Sequence, residues 1–224
     1  MKTFLLGVDD AGRGPVIGPM VLAGCLMDLE TETEFRSLGV RDSKQLTQKR
    51  REFFEKIIKE KSEGFETVVI SPEEIDQKNS EGLKLNELEG IAAAKIINKL
   101  NEGKKRLKVI LDCPSPNRAK WRDFLMTNIS NLSNLEIHCE HKADRDYIVV
   151  AAASILAKSE RERQMGKLKE KYGEEIGSGY SSDPVTKKFL KKNIQKHNDS
   201  GIFRKTWATW KNASQNSKQK KLFE

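Results

Sequence analysis

The stretch GVDDAGRGPVIGPM, residues 7–20, sets two adjacent carboxylates, Asp9 and Asp10, at the end of an apolar segment and follows them with an arginine between two glycines. The apolar residues 4–6 just before it are typical of a buried strand. A fold gains little from ending a buried strand on two negative charges and then presenting a cation on a flexible turn. The pattern indicates instead a site that holds both a metal ion and a phosphorylated ligand.

The segments that follow predict the fold class. Apolar and β-branched runs predict five strands, over residues 3–9, 16–29, 65–70, 107–112 and 135–139. N-cap and proline signals or apolar spacing predict helices beginning near Thr47, Asn86, Ser115, Asp146 and Asp183, with a short one around Trp207. Because strands come first and later alternate with helices, we expect an α/β fold, a mixed five-stranded sheet flanked by helices, antiparallel at its start and parallel afterwards.

Length and composition are those of a soluble globular protein. The 224 residues are 37% hydrophobic and 33% charged, enough for one large domain with at most a small appendage. No apolar run reaches the roughly 18 residues that a membrane span requires, and no signal peptide is recognisable. The three cysteines are widely spaced and form no CxxC motif. We therefore expect a cytoplasmic protein, taken to be a monomer.

Positive charge is concentrated near the C-terminus. Residues 185–221 contain eleven lysines and arginines against one aspartate, a net charge of +10, whereas the whole chain carries +8. This asymmetry favours a polyanionic partner, with nucleic acid the first candidate. A solubilising lysine-rich tail is the alternative, although Trp207 and Trp210 count against it. The expected domains are a main domain over residues 1–184, a basic helical extension over 185–213 and a flexible tail over 214–224.

Two aspartates end predicted strands in the same way. Asp112 closes KVILDC as Asp9 closes FLLGVD, and sites in such sheets gather at the carboxyl ends of strands. Either residue alone would be interpreted as a helix cap or turn residue. Together, at roughly 4 Å and intermediate dielectric, they would repel by a few kcal/mol, a penalty that a divalent cation removes. Ligation by oxygen alone favours Mg²⁺ or Mn²⁺ over zinc.

Two further carboxylates are candidates for the same site. Asp144, in HKADRD, precedes an apolar helix, where it could also be only an N-cap. Asp10 cannot face the same way as Asp9 within a regular strand. It could join Asp9 only if the strand ends there and the Ala11-Gly12 turn redirects it.

Five motifs together resemble a known family. In order along residues 3 to about 207, GVDDAGRGPVIGPM, the DSK at 42–44, VILDC, HKAD with AAASILAK, and GSGYSSDP are similar to type-2 ribonuclease H, ribonuclease HII, and most to its archaeal branch. The resemblance implies a ribonuclease H-like fold and an endoribonuclease that hydrolyses the RNA strand of RNA–DNA hybrids. It also implies a cut 5′ to single ribonucleotides embedded in duplex DNA, two-metal catalysis with Mg²⁺ or Mn²⁺, and products with 5′-phosphate and 3′-hydroxyl ends.

The resemblance also assigns site residues. The catalytic and metal-binding acids are Asp9, Asp10, Asp112 and Asp144. The substrate-binding residues are Gly12, Arg13 and Gly14, which read the ribose 2′-hydroxyl, Ser43, Lys44 and Lys158, which contact phosphates, and Tyr180, which packs on the next sugar.

The sequence departs from the family at one catalytic position. Asp10 stands where the family has glutamate, so its carboxylate is one methylene shorter. This departure leaves open an alternative, a non-catalytic or impaired protein that binds RNA–DNA hybrids. A nucleotide-binding enzyme is a third reading, but Gly12-x-Gly14-x-x-x-Gly18 is neither a dinucleotide fingerprint nor a P-loop.

The C-terminal residues QKKLFE suggest a protein partner. Gln219 and Leu222 fit the start of the Q-x-x-L-x-x-F-F motif with which some archaeal family members bind a sliding clamp, and Phe223 would substitute for its aromatic pair.

Overall fold

The structure is a computed structural model that describes residues 3–41 and 46–221, with the backbone alone for residues 216–221. The strands are β1 (Thr3–Ala11), β2 (Met20–Asp28), β3 (Gly64–Ile70), β4 (Arg106–Asp112) and β5 (Leu135–Glu140). The helices are α1 (Leu29–Leu38), α2 (Gln48–Lys61), α3 (Pro72–Ser80), α4 (Leu85–Leu100), α5 (Arg118–Met126), α6 (Ala143–Asp146), α7 (Ile148–Tyr172), α8 (Pro184–Asn193) and α9 (Ala208–Lys221).

The five strands form one mixed sheet in the order β3-β2-β1-β4-β5. β1 runs antiparallel to β2 and parallel to β4, and β4 runs parallel to β5. The predicted α/β class, strand number and change of direction are therefore confirmed. Asp9 and Asp112 lie on neighbouring strands, as their positions in the sequence predicted.

The chain divides into two compact units. The first unit comprises Ala11 and the residues before it, Val21–Val68 and Leu85–Glu160. The second unit comprises Gly12–Met20, Val69–Lys84 and Arg161 onwards. These divisions differ from the boundary that we expected between residues 184 and 185.

The first unit packs helices on both faces of the sheet. A Cβ added to Gly7 of β1 would lie 2.3 Å from the carbonyl oxygen of Val149, so α7 lies directly against this strand. A Cβ added to Gly24 of β2 would lie 2.3 Å from the side chain of Ile96 on α4. Because these glycines face opposite sides of the sheet, one face is covered by α7 and the other by α4.

The second unit has its own apolar core, which explains the division. This core contains Val16, Ile17, Met165, Ile176, Phe189, Leu190, Ile194, Ile202 and Phe203. Helix α8 thus packs its apolar side with residues from the N-terminal loop and from α7. A boundary at 184/185 would cut through this core, so α8 is part of a folded unit and not an appendage.

Several predicted element boundaries are wrong, each for a local reason. Residues 16–18 pair with the segment 202–204, and β2 begins only at Met20. The ladder with β2 continues to Ala11, so β1 does not end at Asp9. Helix α5 is capped by Asn117, whose side chain accepts from the N–H of Lys120, and not by Ser115.

The C-terminal residues also differ from expectation. Helix α9 begins beside the half-buried Trp207 and Trp210, which pack on the second core, and it continues to Lys221 through part of the predicted flexible tail. Helices α1 and α3 were not predicted. Within the described ranges, no helix has the length and apolar character needed to cross a membrane.

Candidate active site

Three of the predicted acids border one cavity in the first unit. The cavity has a volume of about 10 Å³, room for about one water-sized particle. Its lining consists of Val8, Asp9, Asp10, Leu22, Glu89, Ala93, Leu111, Asp112, Pro114 and Trp121. The carboxyl ends of β1 and β4 therefore bring together acids that lie about a hundred residues apart in the chain.

Asp9 is buried among like charges. Its Oδ1 accepts the N–H of Asp10 at 2.8 Å, and its carboxylate also accepts from the hydroxyl of Ser154, which is fully buried on α7. Burial raises the pKa of Asp9 well above its usual value, and the negative charges of Asp10 and Asp112 raise it further. The hydrogen bonds do not offset these effects, so the ionised carboxylate is held at a cost to the fold.

Asp10 reaches the cavity from the other face of β1. Because the strand continues to Ala11, the expectation that Asp10 is redirected by the end of the strand is wrong. The ladder between β1 and β4 stops at the pair Val8 and Leu111, however. Beyond that pair β4 no longer covers this edge of β1, and both acids border the cavity.

Asp112 connects the cavity to the segment that carries Asp144. Its Oδ1 accepts the N–H of Ala143 at 2.8 Å, and the next residue is the buried Asp144. The N-cap of α6 is Lys142, in the left-handed conformation with φ 59° and with no side-chain capping bond. The N-cap alternative for Asp144 is therefore wrong, because Asp144 lies inside the first turn of α6.

The donor chemistry of this group suits a hard cation. Carboxylate oxygens are the ligands that Mg²⁺ and Mn²⁺ prefer, and a cation would relieve the repulsion around Asp9. Among the described residues, no three acidic, histidine or cysteine side chains are already arranged to hold one ion. The acids thus fit a divalent ion by type and charge.

Glu89 is a cavity residue that the sequence analysis missed. It lies on α4, is only 2% exposed, and borders the cavity with Asp10. A glutamate in an amphipathic helix is usually taken as solvent-facing. Its spacing from the buried residues Ala92, Ala93 and Ile96, at i+3, i+4 and i+7, could have placed it on the buried face.

Lys158 lies on the side of α7 that faces Asp9. It follows Ser154 by four residues and therefore shares its face of the helix. Its side chain is half-buried.

The second unit brings together the remaining substrate candidates that the structure describes. Gly12 has φ +82°, a conformation that requires glycine, and a Cβ added to Gly14 would lie 3.9 Å from the ring of Tyr180. The guanidinium of the buried Arg161 lies 5.2 Å from the centre of that ring, which is 38% exposed. Gly12, Gly14 and Tyr180 are thus neighbours, with Arg161 behind them.

The basic C-terminal region is a mixture of exposed and buried residues. The exposed lysines on and after α8 are Lys187, Lys188, Lys191, Lys192 and Lys196. Arg204, counted in the sequence as part of the same surface charge, is fully buried. Trp207 and Trp210 pack on the second core, which accounts for them without a nucleic-acid contact.

Some predicted residues lie outside the described part of the chain. These are Ser43, Lys44, Leu222 and Phe223, together with the side chain of Gln219.

Comparisons with known proteins agree with the fold and the motifs. The family model "Ribonuclease HII" matches residues 6–210. A ribonuclease HII from Methanococcus maripaludis is 41% identical over 224 residues, which cover 100% of this chain and 91% of that protein.

Two solved structures are similar over most of their length. The ribonuclease H2 from Pyrococcus horikoshii OT3 has 36% identity and a TM-score of 0.85, with 96% of this chain and 99% of that chain covered. The ribonuclease HII in the PCNA complex from Archaeoglobus fulgidus has 38% identity and a TM-score of 0.79, with 92% and 95% covered. The expected ribonuclease H-like fold is confirmed.

Proposed function

The chain belongs to the ribonuclease HII family and is a ribonuclease H, an endoribonuclease of RNA–DNA hybrids, and we propose that it also cuts 5′ to single ribonucleotides in duplex DNA, using two divalent cations held by Asp9, Asp10, Asp112 and Asp144. The products would carry 5′-phosphate and 3′-hydroxyl ends. The observation that supports this proposal most is the cavity at the ends of β1 and β4, where the half-buried Asp10 and Asp112 repel the buried carboxylate of Asp9.

The four acids supply the negative charge that holds the ions. Mg²⁺ or Mn²⁺ ions held by these acids would supply activation of a water and stabilisation of the departing 3′-oxygen of the phosphodiester. Ser154 orients the carboxylate of Asp9, and the N–H of Ala143 orients that of Asp112. Asp10 approaches from the opposite face of β1, so the length of its side chain decides how closely the four carboxylates can surround an ion.

The alternative of a non-catalytic hybrid-binding protein gains no support from the comparisons, which show the family over nearly the whole chain. Asp10 still carries a shorter side chain than the family glutamate. We propose that this lowers activity with Mg²⁺ more than with Mn²⁺, whose coordination is more forgiving, and does not abolish activity.

The second unit is proposed to recognise the nucleic acid. The backbone of Gly12, Arg13 and Gly14 reads the 2′-hydroxyl, the group that distinguishes RNA from DNA, and the Arg13 guanidinium contacts a phosphate. Tyr180 presents an exposed ring for the next sugar, held from behind by Arg161. Ser43, Lys44 and Lys158 add phosphate contacts, and the exposed lysines of α8 add sequence-independent affinity.

A cleavage assay tests the proposed function. A duplex with one ribonucleotide and an RNA–DNA hybrid are each incubated with the protein and either Mg²⁺ or Mn²⁺. We expect the unaltered chain to cut both and Asp112→Asn to cut neither, while Asp112→Asn still binds both. Binding without cutting by the unaltered chain under either metal would contradict the proposal.

We further propose that Gln219, Leu222 and Phe223 dock on a sliding clamp. The similarity to the ribonuclease HII in the PCNA complex from Archaeoglobus fulgidus supports this partner. Replacing Leu222 and Phe223 with alanine should abolish co-elution with the clamp and leave cleavage unchanged. Equal co-elution of both forms would exclude this segment as the contact.

A further inference from the structure

Arg204 lies in the second unit as a fully buried cation that bonds to main-chain carbonyl groups. Its guanidinium donates to the carbonyl oxygens of Arg13 at 2.7 Å and Gly12 at 2.6 Å, and to that of Gly18 at 3.0 and 2.9 Å. These three carbonyls belong to the loop of residues 12–18, named here the glycine loop. One side chain from near the C-terminus therefore holds both ends of a loop from the N-terminal region.

Several contacts fix Arg204 in this position. The segment around it pairs with the glycine loop, through the N–H of Arg204 to the carbonyl of Val16 at 2.9 Å and the bridge between Ile17 and Phe203. The Trp207 ring lies 5.0 Å from the guanidinium. The arginine is thus held by main-chain pairing and by the Trp207 ring, in addition to the bonds that its guanidinium donates.

Asp76 on α3 fixes the residues that follow. Its carboxylate accepts the N–H of Lys205 at 2.6 Å, the N–H of Thr206 at 3.0 Å and the hydroxyl of Thr206 at 2.6 Å. Charge-assisted bonds of this kind are among the stronger ones in proteins. Arg204 therefore acts as a rigid support and not as a mobile side chain.

The bonds from Arg204 determine which way the loop presents its peptide groups. A trans peptide is planar, so the N–H of a residue points away from the carbonyl of the residue before it. With the carbonyls of Gly12 and Arg13 turned to Arg204, the N–H groups of Arg13 and Gly14 point away from it. Two main-chain donors are thus directed outward from the buried arginine, on the loop that is proposed to read ribose.

We propose that Arg204 is a positioning residue for ribose recognition. By holding the carbonyls of Gly12, Arg13 and Gly18 it orients the N–H groups of Arg13 and Gly14 towards the ribonucleotide, although it does not itself contact the nucleic acid. This inference rests on the proposed function and adds to it a residue outside the five motifs that carry the family resemblance.

The test compares Arg204→Met with a variant that loosens the same core without removing a hydrogen bond to the loop. Methionine keeps much of the volume and removes every donor. Ile194→Ala is the control, because Ile194 is a buried residue of the second core that does not bond to the glycine loop. For both variants kcat/KM is measured on a duplex with one ribonucleotide, and an all-DNA duplex is measured as a competitive inhibitor, with thermal unfolding recorded alongside.

A positioning role predicts an unequal effect on the two ligands. For Arg204→Met we expect kcat/KM to fall about 100-fold, as for other small misplacements of a reacting group, while the inhibition constant of the all-DNA duplex changes less than about twofold. For Ile194→Ala we expect a lower unfolding temperature, but no loss of kcat/KM relative to the affinity for the all-DNA duplex. A merely structural role would move kcat/KM and the inhibition constant together.

The outcomes separate this inference from the function on which it rests. If the unaltered chain does not cut the duplex, the proposed function fails and the inference with it. If the unaltered chain cuts and Arg204→Met keeps its preference for the ribonucleotide, or loses both affinities in parallel as a destabilised core would, the inference alone is overturned.

Discussion

Two aspartates, one in each unit, lie in opposite electrostatic environments. In the first unit, Asp9 is buried beside Asp10 and Asp112, and its pKa is raised by burial and by those neighbouring charges. In the second unit, the carboxylate of Asp183 accepts bonds from the N–H and hydroxyl of Ser178, the N–H of Val185 and the hydroxyl of Thr186. These bonds hold its pKa well below the usual range. The charge of Asp9 therefore destabilises the fold, whereas that of Asp183 stabilises it.

The difference separates carboxylates that are proposed to bind a ligand from charged residues that stabilise the fold. In the second unit, Asp183 and Arg204 are satisfied by hydrogen bonds, and the lysines of α8 are exposed to solvent. In the first unit, the buried Asp9 lies beside the half-buried Asp10 and Asp112, and the proposed cation would relieve the repulsion among them. Functional sites commonly carry such a cost in stability.

The largest effect is expected for Asp9→Asn. The amide keeps the size and some of the hydrogen bonds but removes a charge, so we expect cleavage to fall by about a thousandfold or more, as when a major electrostatic contributor to a site is lost. Without metal, the free energy of unfolding should rise by about 1–2 kcal/mol, because a repulsive buried charge is gone. Gel-based cleavage rates and chemical denaturation measure the two.

The control for this prediction is Asp123→Asn, which removes an exposed carboxylate on α5. It should change neither the cleavage rate nor the free energy of unfolding. A loss of stability in Asp9→Asn would break the comparison, because it would show that the charge of Asp9 stabilises the fold.

The second prediction concerns the exposed lysines of the second unit. Replacing four of them with glutamine should weaken hybrid binding and flatten its salt dependence, by up to about 3–4 units in the slope of log K against log salt if each contacts a phosphate. The four are Lys187, Lys188, Lys191 and Lys192. Deleting the whole segment would be uninformative, because it would remove core residues such as Phe189 and Phe203.

A variant with the same change of net charge elsewhere provides the comparison. Its glutamines replace four exposed lysines of the first unit: Lys49, Lys56, Lys99 and Lys104. We expect its salt slope to stay near that of the unaltered chain. Equal slopes for the two variants would mean that the basic face of α8 is not a specific binding surface.

The third prediction tests the satisfied carboxylate. Asp183→Asn should lower the free energy of unfolding by about 1 kcal/mol, the usual effect of losing an N-cap, with cleavage reduced only severalfold. Because the pKa of Asp183 is lowered in the fold, its stabilising effect is present above the unfolded value of 3.8 and is lost as the pH falls further towards its folded value. The difference between the two proteins should therefore be constant near neutral pH and shrink below about pH 4.

Asp199→Asn is the matched control, since Asp199 is an exposed aspartate of the same unit that contacts only the side chains of Asn198 and Lys205 at the surface. Its stability should follow that of the unaltered chain at every pH. If the stability of Asp183→Asn also followed that of the unaltered chain at every pH, the charge of Asp183 would not stabilise the fold, and the contrast with Asp9 would fail.

The smallest effect is expected for Asp10→Glu. Restoring the length of the family residue should raise the Mg²⁺-supported cleavage rate by about threefold or more, because small gains in ligand placement have large effects on rate. The rate with Mn²⁺ should change less. An unchanged or lower rate with Mg²⁺ would show that the shorter side chain is already well placed.

The sequence predicted the sheet and much of the set of acidic residues in the candidate site for one reason. Apolar runs that end in aspartate identify the strands and, to within two residues, their carboxyl ends, so Asp9 and Asp112 could be placed on neighbouring strands from the pattern alone. The N-caps Thr47 and Asp183 were also readable, because capping depends on neighbouring residues.

Features that depend on distant contacts could not be predicted in this way. Residues 16–18 have the composition of a strand but pair with 202–204, and Arg204 resembles its exposed basic neighbours yet lies buried against the glycine loop. The buried side of Glu89 was readable from its spacing along α4, but the cavity that it borders is formed with Asp10 and Asp112, far away in the sequence. In each case the deciding partner is far away in the sequence.

The proposed metal binding is tested most directly by a crystal of the protein grown with Mn²⁺ and measured for anomalous scattering. We expect manganese density in contact with the carboxylates of Asp9 and Asp112, with Asp144 turned towards it. Manganese that binds elsewhere, or no manganese at these acids at a concentration that supports cleavage, would contradict the proposal.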